Sequence, residues 1–448
     1  MTDASLYRRV LATVGLFTLA AGDFWRFLAG YPGWIAIVGV LLVLTVIELI
    51  RMRIDLRRLP LTLGLFLALT VVSIAWSAYR EWTVLGAVAT LVTATFAVFV
   101  ATALDIPTLL RCLGAALRWA LGMSLLFELI VAVIIRHHVL PLVPPPGADY
   151  SAGKLPAAFY WSRDVLLSGG RIQGIVGNSN LLALIALLAL IVFGVQFFAR
   201  TASRLWLVVW IVVAIGVLGL TRSGTVLAAG AVVLVVAVFV AIVRRQRAGR
   251  PRILSYAIGG VLLIGGAVIA FAGRDTLFTI LGKTDTLTGR TDIWQVVLHY
   301  AAQRPVAGWG WVSYWVPWIA PFDDMRFMIK GVQYSQAHDA WLDILLQLGV
   351  IGLVVFGLLV ATTLVRSWLL AVRSTPGAAT VRVFPLLVVV GLLVHSIAES
   401  RLLIEICFAL LVVCSVIGAR RDQGLAVEPS VESPVEPPSV GEQAAVVS

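Results

Sequence analysis

GNSNLLALIALLALIVFGVQFF, residues 177–198, decides what kind of chain this is. Small polar residues open it, and from Leu181 to Val195 only glycine interrupts aliphatic and aromatic side chains. Wound as a helix, that stretch is apolar on every face, as a membrane span is. One crossing needs about 20 such residues. Outward from it, similar runs recur at about 10–29, 33–50, 60–77, 84–104, 112–135, 205–221, 225–243, 253–272, 339–363, 383–398 and 401–418, twelve spans in all. The whole chain fits: 60% of its 448 residues are hydrophobic, 13% are charged, and mean hydropathy is +0.99. Soluble domains carry roughly twice that charge. The expected fold class is an all-α polytopic membrane protein with about 12 transmembrane helices.

Orientation follows from arginine. Arg51, Arg53, Arg57 and Arg58 lie between spans two and three, Arg200 and Arg204 between six and seven, and Arg244, Arg245, Arg247, Arg250 and Arg252 after span eight. Arg366, Arg373 and Arg382 follow span ten, and Arg420 and Arg421 follow span twelve. Every second connection is basic, the positive-inside pattern. It predicts a multi-pass inner (plasma) membrane protein with both termini cytoplasmic. Arg8 and Arg9 precede the first span, which reads as an uncleaved helix because no persuasive cleavage site follows and further spans do. The net charge of +11 would suggest nucleic acid in a soluble chain. Here it mainly marks orientation, so no nucleic-acid partner is expected. Residues 422–448 hold five acidic and no basic residues and several prolines, a composition that predicts a disordered tail. The membrane-embedded domain is thus 1–421.

No metal motif, P-loop or GxGxxG is present, and Cys407 and Cys414 are too far apart on one helix for a disulfide. Metal and cofactor are both read as none. Two long external loops, 136–176 and 273–338, hold the polar chemistry, and ionisable residues at the span ends lean the same way: Asp23, Arg26, Glu128, Asp339, Asp343, His395, Glu399, Arg401 and Glu405. Such residues are candidates for function.

Four clusters stand out. TRSG, 221–224, puts Arg222 in a tight external loop beside hydroxyls and glycine, suited to an anion or to a snorkelling arginine. TGRTDIW, 288–294, sets Arg290 in the second loop, where it either holds phosphate or pairs with Asp292. AHDAWLDILLQLGVIG, 337–352, places His338 ahead of Asp339, Asp343 and Gln347 on one helical face. GGRIQGIVGNSN, 169–180, offers Arg171 and Asn180, with Asn178 a helix cap. Arginines can neutralise a diphosphate leaving group without a metal, and histidine can take a hydroxyl proton. A membrane-embedded substrate with a diphosphate is a polyprenyl-diphosphate carrier. Trp309, Trp311, Tyr314, Trp315 and Trp318 suit sugar stacking or interfacial anchoring.

These residues resemble the O-antigen ligase and polymerase superfamily of membrane glycan transferases. The likeness runs from about 169 to 356 and rests on RIQGIVGNSN, TRSG, TGRTDIW, PVAGWGW at 305–311, and His338 with Gly349 beyond it. It implies a membrane glycosyltransferase (GT-C-like) fold, with Arg222 and Arg290 holding the diphosphate and His338 as the base of an inverting, metal-independent transfer. Arg171 and Asn180 would assist at the substrate, and Asp339 or Asp343 would orient His338. The family's ligase pattern has leucine where this chain has Trp294, counted as a substrate contact, and asparagine where it has Asp339. Both departures leave a polymerase open beside the ligase. The reading is a transferase with an extracytoplasmic active site, moving a glycan from the polyprenyl-diphosphate donor to an acceptor glycan or glycolipid. A lipid-linked glycan flippase is the rival from another class, but it would require polar groups through the other half of the bundle.

Overall fold

The computed structural model describes residues 3–144, 155–245, 288–325, 327–329, 332–373 and 380–425. The expected ninth span at 253–272 and nearly all of the acidic tail lie outside them, as do parts of both long loops. Among the described residues the helices are α1 (Asp3–Ala20), α2 (Gly22–Arg51), α3 (Leu61–Val72), α4 (Arg80–Ala103), α5 (Ile106–Ile130), α6 (Ser179–Ala199), α7 (Arg204–Thr221), α8 (Gly224–Arg245), α9 (Thr288–Gln303), α10 (Ala340–Val372), α11 (Phe384–Ser396) and α12 (Glu405–Leu425). One short ribbon, β1 (Phe327–Ile329) against antiparallel β2 (Val332–Tyr334), interrupts the all-α plan.

Seven described helices are long and apolar enough to cross a membrane, and α3 and α11 are shorter apolar helices. The chain is a polytopic, all-α membrane protein. Boundaries differ from expectation in two places. The run at 10–29 is not one helix, because α1 ends at Ala20 and the chain reverses at Ala21. The α2 helix then runs on to Arg51 with a break at Gly30, just before Pro32, whose ring cannot continue a regular helix; the expected runs 10–29 and 33–50 part at this point. The last helix extends to Leu425, past the expected domain boundary at 421.

The apolar run that decided the fold class becomes α6, buried on nearly all sides between α5, α7 and α11. Alternating helix direction puts the arginine-rich connections at 51–58, 200–204 and 373–382 at one end of the bundle. Glu128, Asn180, Thr221, Asp339 and Glu399 gather at the other.

A second feature fixes that polar end. The α10 helix is broken at Gly349, whose φ is 63°. A break deep in a span frees backbone groups that lipid cannot satisfy. The PVAGWGW segment satisfies them. Val350 N donates to Pro305 O (2.8 Å) and Ile351 N to Val306 O (3.2 Å), while Trp309 N and Gly310 N donate to Leu346 O (3.1 Å) and Gln347 O (2.9 Å). The loop's own carbonyls are met by the α3–α4 corner: Trp76 Nε1 donates to Ala307 O (2.9 Å), Ala78 N to Trp309 O (3.1 Å) and the Tyr79 hydroxyl to Gly310 O (2.8 Å). Trp311 is fully buried and donates through Nε1 to Thr90 Oγ1 at 2.9 Å.

Gly308 and Gly349 face one another across this contact, both at positive φ. A Cβ at Gly308 would run into the Gln347 backbone, and one at Gly349 into the Val306 carbonyl. Gly308→Ala and Gly349→Ala are each expected to cost about 1–3 kcal/mol from backbone strain alone, read as a lowered thermal midpoint in detergent. Gly357→Ala, where an added Cβ meets nothing within 4 Å, should be neutral. Equal midpoints for all three would refute the account.

Candidate functional site

Glu399 stands in the short connection between α11 and α12, 5% exposed, and gathers three partners. Its Oε1 accepts from Asn180 Nδ2 at 2.9 Å and Arg290 Nη2 at 3.2 Å. Its Oε2 lies 3.1 Å from His338 Nδ1. Glu399, Arg290 and His338 therefore form one buried ionic cluster, from segments 61 and 109 residues apart. His338 holds φ at 52°, a left-handed conformation that a non-glycine residue adopts at some cost, often at functional sites.

Asn180 extends the cluster. Its Oδ1 accepts from Arg171 Nη2 at 2.8 Å and from Ser223 Oγ of TRSG at 3.1 Å, while Arg171 Nε donates to Thr221 O at 2.9 Å. Two of the sequence clusters thus meet the other two at Glu399. The Arg171 segment is itself held from below. Glu128, at the end of α5, accepts from Gln173 N (2.9 Å), Gly174 N (2.7 Å) and Ser162 Oγ (2.9 Å). Its charge is satisfied by positioning a turn. Arg222 ends α7 at φ 46° and is exposed. Its guanidinium has no hydrogen-bond or ion-pair partner among the described residues, and a Cβ at Gly169 would sit 3.7 Å from its Nη2. It flanks the Arg171 segment with its charge uncommitted.

Several residues expected at the site make structural contacts. Asp339 is the N-cap of α10, accepting from Trp341 N (2.8 Å) and Leu342 N (3.1 Å). Asp343 accepts from Trp315 Nε1 at 2.6 Å and Ala337 N at 3.2 Å. Gln347 accepts from Val312 N and Ser313 N, each at 2.9 Å. The shared helical face is real and secures the loop, and the carboxylate seen against His338 Nδ1 is that of Glu399. Trp294 is likewise a clamp: its Nε1 donates to Ala337 O at 3.0 Å, tying the Arg290 helix to the turn that carries His338. TGRTDIW opens α9 instead of lying in loop, and Arg290 pairs with Glu399 instead of Asp292. Asn178 caps α6, as expected. Trp311 and Trp315 are buried, whereas Tyr314 and Trp318 are exposed.

A second ionic ring adjoins the first through Arg401, two residues beyond Glu399. Arg26 pairs with Asp23 (2.7 Å) and Glu405 (2.6 Å), and Arg401 with Glu405 (3.0 Å). This ring staples α2 to the start of α12.

Burial pushes the Glu399 carboxyl up, but the His338 hydrogen bond and the charges of His338 and Arg290 outweigh it and hold it at about 2. Burial lowers Arg171, helped by neighbouring Arg163, while Glu399 opposes the shift. Among the described residues no three His, Cys, Asp or Glu side chains gather as a metal-ligand set. The arrangement can bind an anion through arginine and can hold an imidazole with Nδ1 against a carboxylate.

Residues 207–357 match the family model described as O-Antigen ligase. The stretch includes Arg222, Arg290 and His338 but neither Asn180 nor Glu399. The exopolysaccharide production protein ExoQ of Rhizobium meliloti (strain 1021) is 30% identical over 106 residues, 23% of this chain and 24% of that protein. The chain spans about a quarter of that relative's length. Both matches support the resemblance to the O-antigen ligase and polymerase superfamily, glycan-processing membrane proteins.

Glu399→Gln keeps shape but leaves one oxygen for three donors. Its removal should cost roughly 3 kcal/mol, as for other broken buried ion pairs. A carboxyl depressed in the folded state contributes stability above its unfolded pKa and loses it as pH falls toward about 2. The gap in thermal midpoint between wild type and Glu399→Gln should therefore shrink as pH falls below about 4, the ordinary range of a glutamate in the unfolded chain. A gap that keeps growing below that pH would contradict the assignment.

Proposed function

We propose that this chain is a membrane glycosyltransferase that moves a glycan from a polyprenyl-diphosphate carrier to an acceptor sugar hydroxyl at the extracytoplasmic face. The observation that carries the proposal is the single cluster in which Glu399 joins Arg290 to His338 and, through Asn180, to Arg171 and the TRSG turn. His338 supplies the base: with Nδ1–H held by Glu399, Nε2 takes the acceptor hydroxyl proton. The freed oxygen attacks the anomeric carbon from the face opposite the diphosphate. A new C–O bond forms, the bond to the diphosphate oxygen breaks, and the configuration inverts. Arg290 and Arg222 neutralise the departing diphosphate, with Arg171 supporting them. Glu399 stabilises the imidazolium that results, acting as a positioning residue.

An O-antigen-ligase-like transfer to a glycan or glycolipid is the leading form. Repeat-unit polymerisation is the second, favoured by similarity to a protein named for exopolysaccharide production and by Trp294 and Asp339 standing where the ligase pattern differs. A deletion strain that accumulates single repeat units on the carrier indicates the polymerase, and one that accumulates finished polymer the ligase.

Purified protein incubated with labelled polyprenyl-diphosphate glycan and acceptor is expected to form the transferred product. His338→Ala and Arg290→Ala should insert normally and lose about a hundredfold or more of this activity. Near-wild-type turnover in either variant would sink the proposal. Movement of the labelled glycan across a bilayer without transfer would indicate the flippase.

A further inference from the structure

At the end of the bundle opposite Glu399, the start of α1 and the α4–α5 corner enclose a cavity of about 690 Å³. It falls within the roughly 300–1,000 Å³ typical of small-molecule sites. Arg8, Arg9 and Arg111 line it, with hydroxyls from Ser5 and Thr108 between them. The one acidic residue on the wall, Asp105, uses its carboxylate to cap α5 at Thr108 N, 3.0 Å away. Even with Glu48 counted against Arg8, three arginines face two carboxylates, and the balance around the pocket is positive. Ala103 and Leu104 add apolar lining.

Arg8 is pre-positioned. Glu48 on α2 accepts from its Nε at 2.8 Å, while its two terminal nitrogens make no hydrogen bond to a described residue. Arg111 is exposed and bonds Thr108 Oγ1 through Nη2 at 2.8 Å. The N-terminus of α5, a 25-residue helix, adds its partial positive charge at the same corner.

Orientation alone accounts for arginines at this end, but not for a hollow between them or for what flanks it. The side of α1 next to Arg9 exposes Leu6 (54%), Val10 (53%) and Val14 (43%) at i, i+4 spacing, an apolar stripe running from the cavity along the helix. A pocket that joins arginines and hydroxyls to apolar lining, beside an exposed apolar stripe, matches an amphiphile whose phosphate sits in the cavity and whose chains follow α1. A soluble phosphate has no use for the stripe.

We infer that this cavity is a binding site for the phosphate headgroup of an anionic phospholipid of the leaflet on the arginine-loop side. The site is independent of the transfer reaction at the other end. Basic groups near an anionic membrane surface each contribute about five-fold in binding.

The full-length protein can be purified in neutral detergent and titrated with phosphatidylglycerol, phosphatidylcholine or inorganic phosphate, with bound lipid counted by native mass spectrometry and stability followed by thermal midpoint. One phosphatidylglycerol per chain should be retained in preference to phosphatidylcholine. Arg111→Gln and Arg9→Gln should each weaken it about five-fold. Because Arg111 is exposed and bonds only a local hydroxyl, its variant reports binding without a folding defect. Equal phosphatidylglycerol retention by wild type and the double variant would overturn the inference. A rise in midpoint with inorganic phosphate matching that with the lipid would also overturn it, showing a soluble anion site.

Discussion

A broken helix inside a membrane is tenable only if its freed backbone groups find partners in the protein. At Gly349 those partners are supplied by one segment, residues 305–310, which returns from the polar end and hydrogen-bonds to both sides of the break. The same segment is gripped from its other edge by Trp76, Ala78 and Tyr79. Three parts of the chain that are distant in sequence are thereby locked by main-chain geometry, which tolerates little error. The first ten residues of α10, with His338 just ahead of them, inherit their position from this lock. The PVAGWGW stretch and Gly349 thus read as the two halves of one joint.

The charges at that end follow a related rule. A buried carboxylate is tolerable when donors surround it, and three carboxylates here are used in three ways. Glu128 is spent on backbone N–H groups and shapes the Arg171 turn. Glu405 closes an ionic staple with Arg26 and Arg401. Glu399 aligns an arginine and a histidine from separate segments. The first two hold the scaffold within which the third can act.

The helices were legible because apolar runs of span length have few alternatives in any solvent. Asn178 as a cap was legible for a similar reason: capping is local, and the signal lies within three residues. Where expectation failed, the deciding contact was remote. Asp343 lies at a spacing that suggests partnership with His338, yet Trp315 and Ala337 reach it first. Glu399 was visible as an ionisable residue at a span end, but nothing in its neighbourhood announces His338, 61 positions earlier. Trp294 stood out only as a departure from a pattern. Its indole bond to Ala337 is a tertiary contact that composition cannot encode. Gly30 with Pro32 is a local break signal, and the runs 10–29 and 33–50 part there; the reversal at Ala21, inside the first run, carries no comparable local signal.

The long segment between α9 and α10 is also drawn shut at its base. Trp315 N donates to Ser335 O at 3.2 Å, and the same tryptophan's indole is anchored on Asp343. What lies between is a bight with a sealed neck, and lengthening such a loop costs only about 0.6 kcal/mol per doubling. Arg290 and His338 both sit outside the neck, so changes in the bight need not disturb their alignment on Glu399. The length and surface of that loop can therefore vary while Arg290 and His338 keep their places. Variation there is mechanically insulated from the Glu399 cluster.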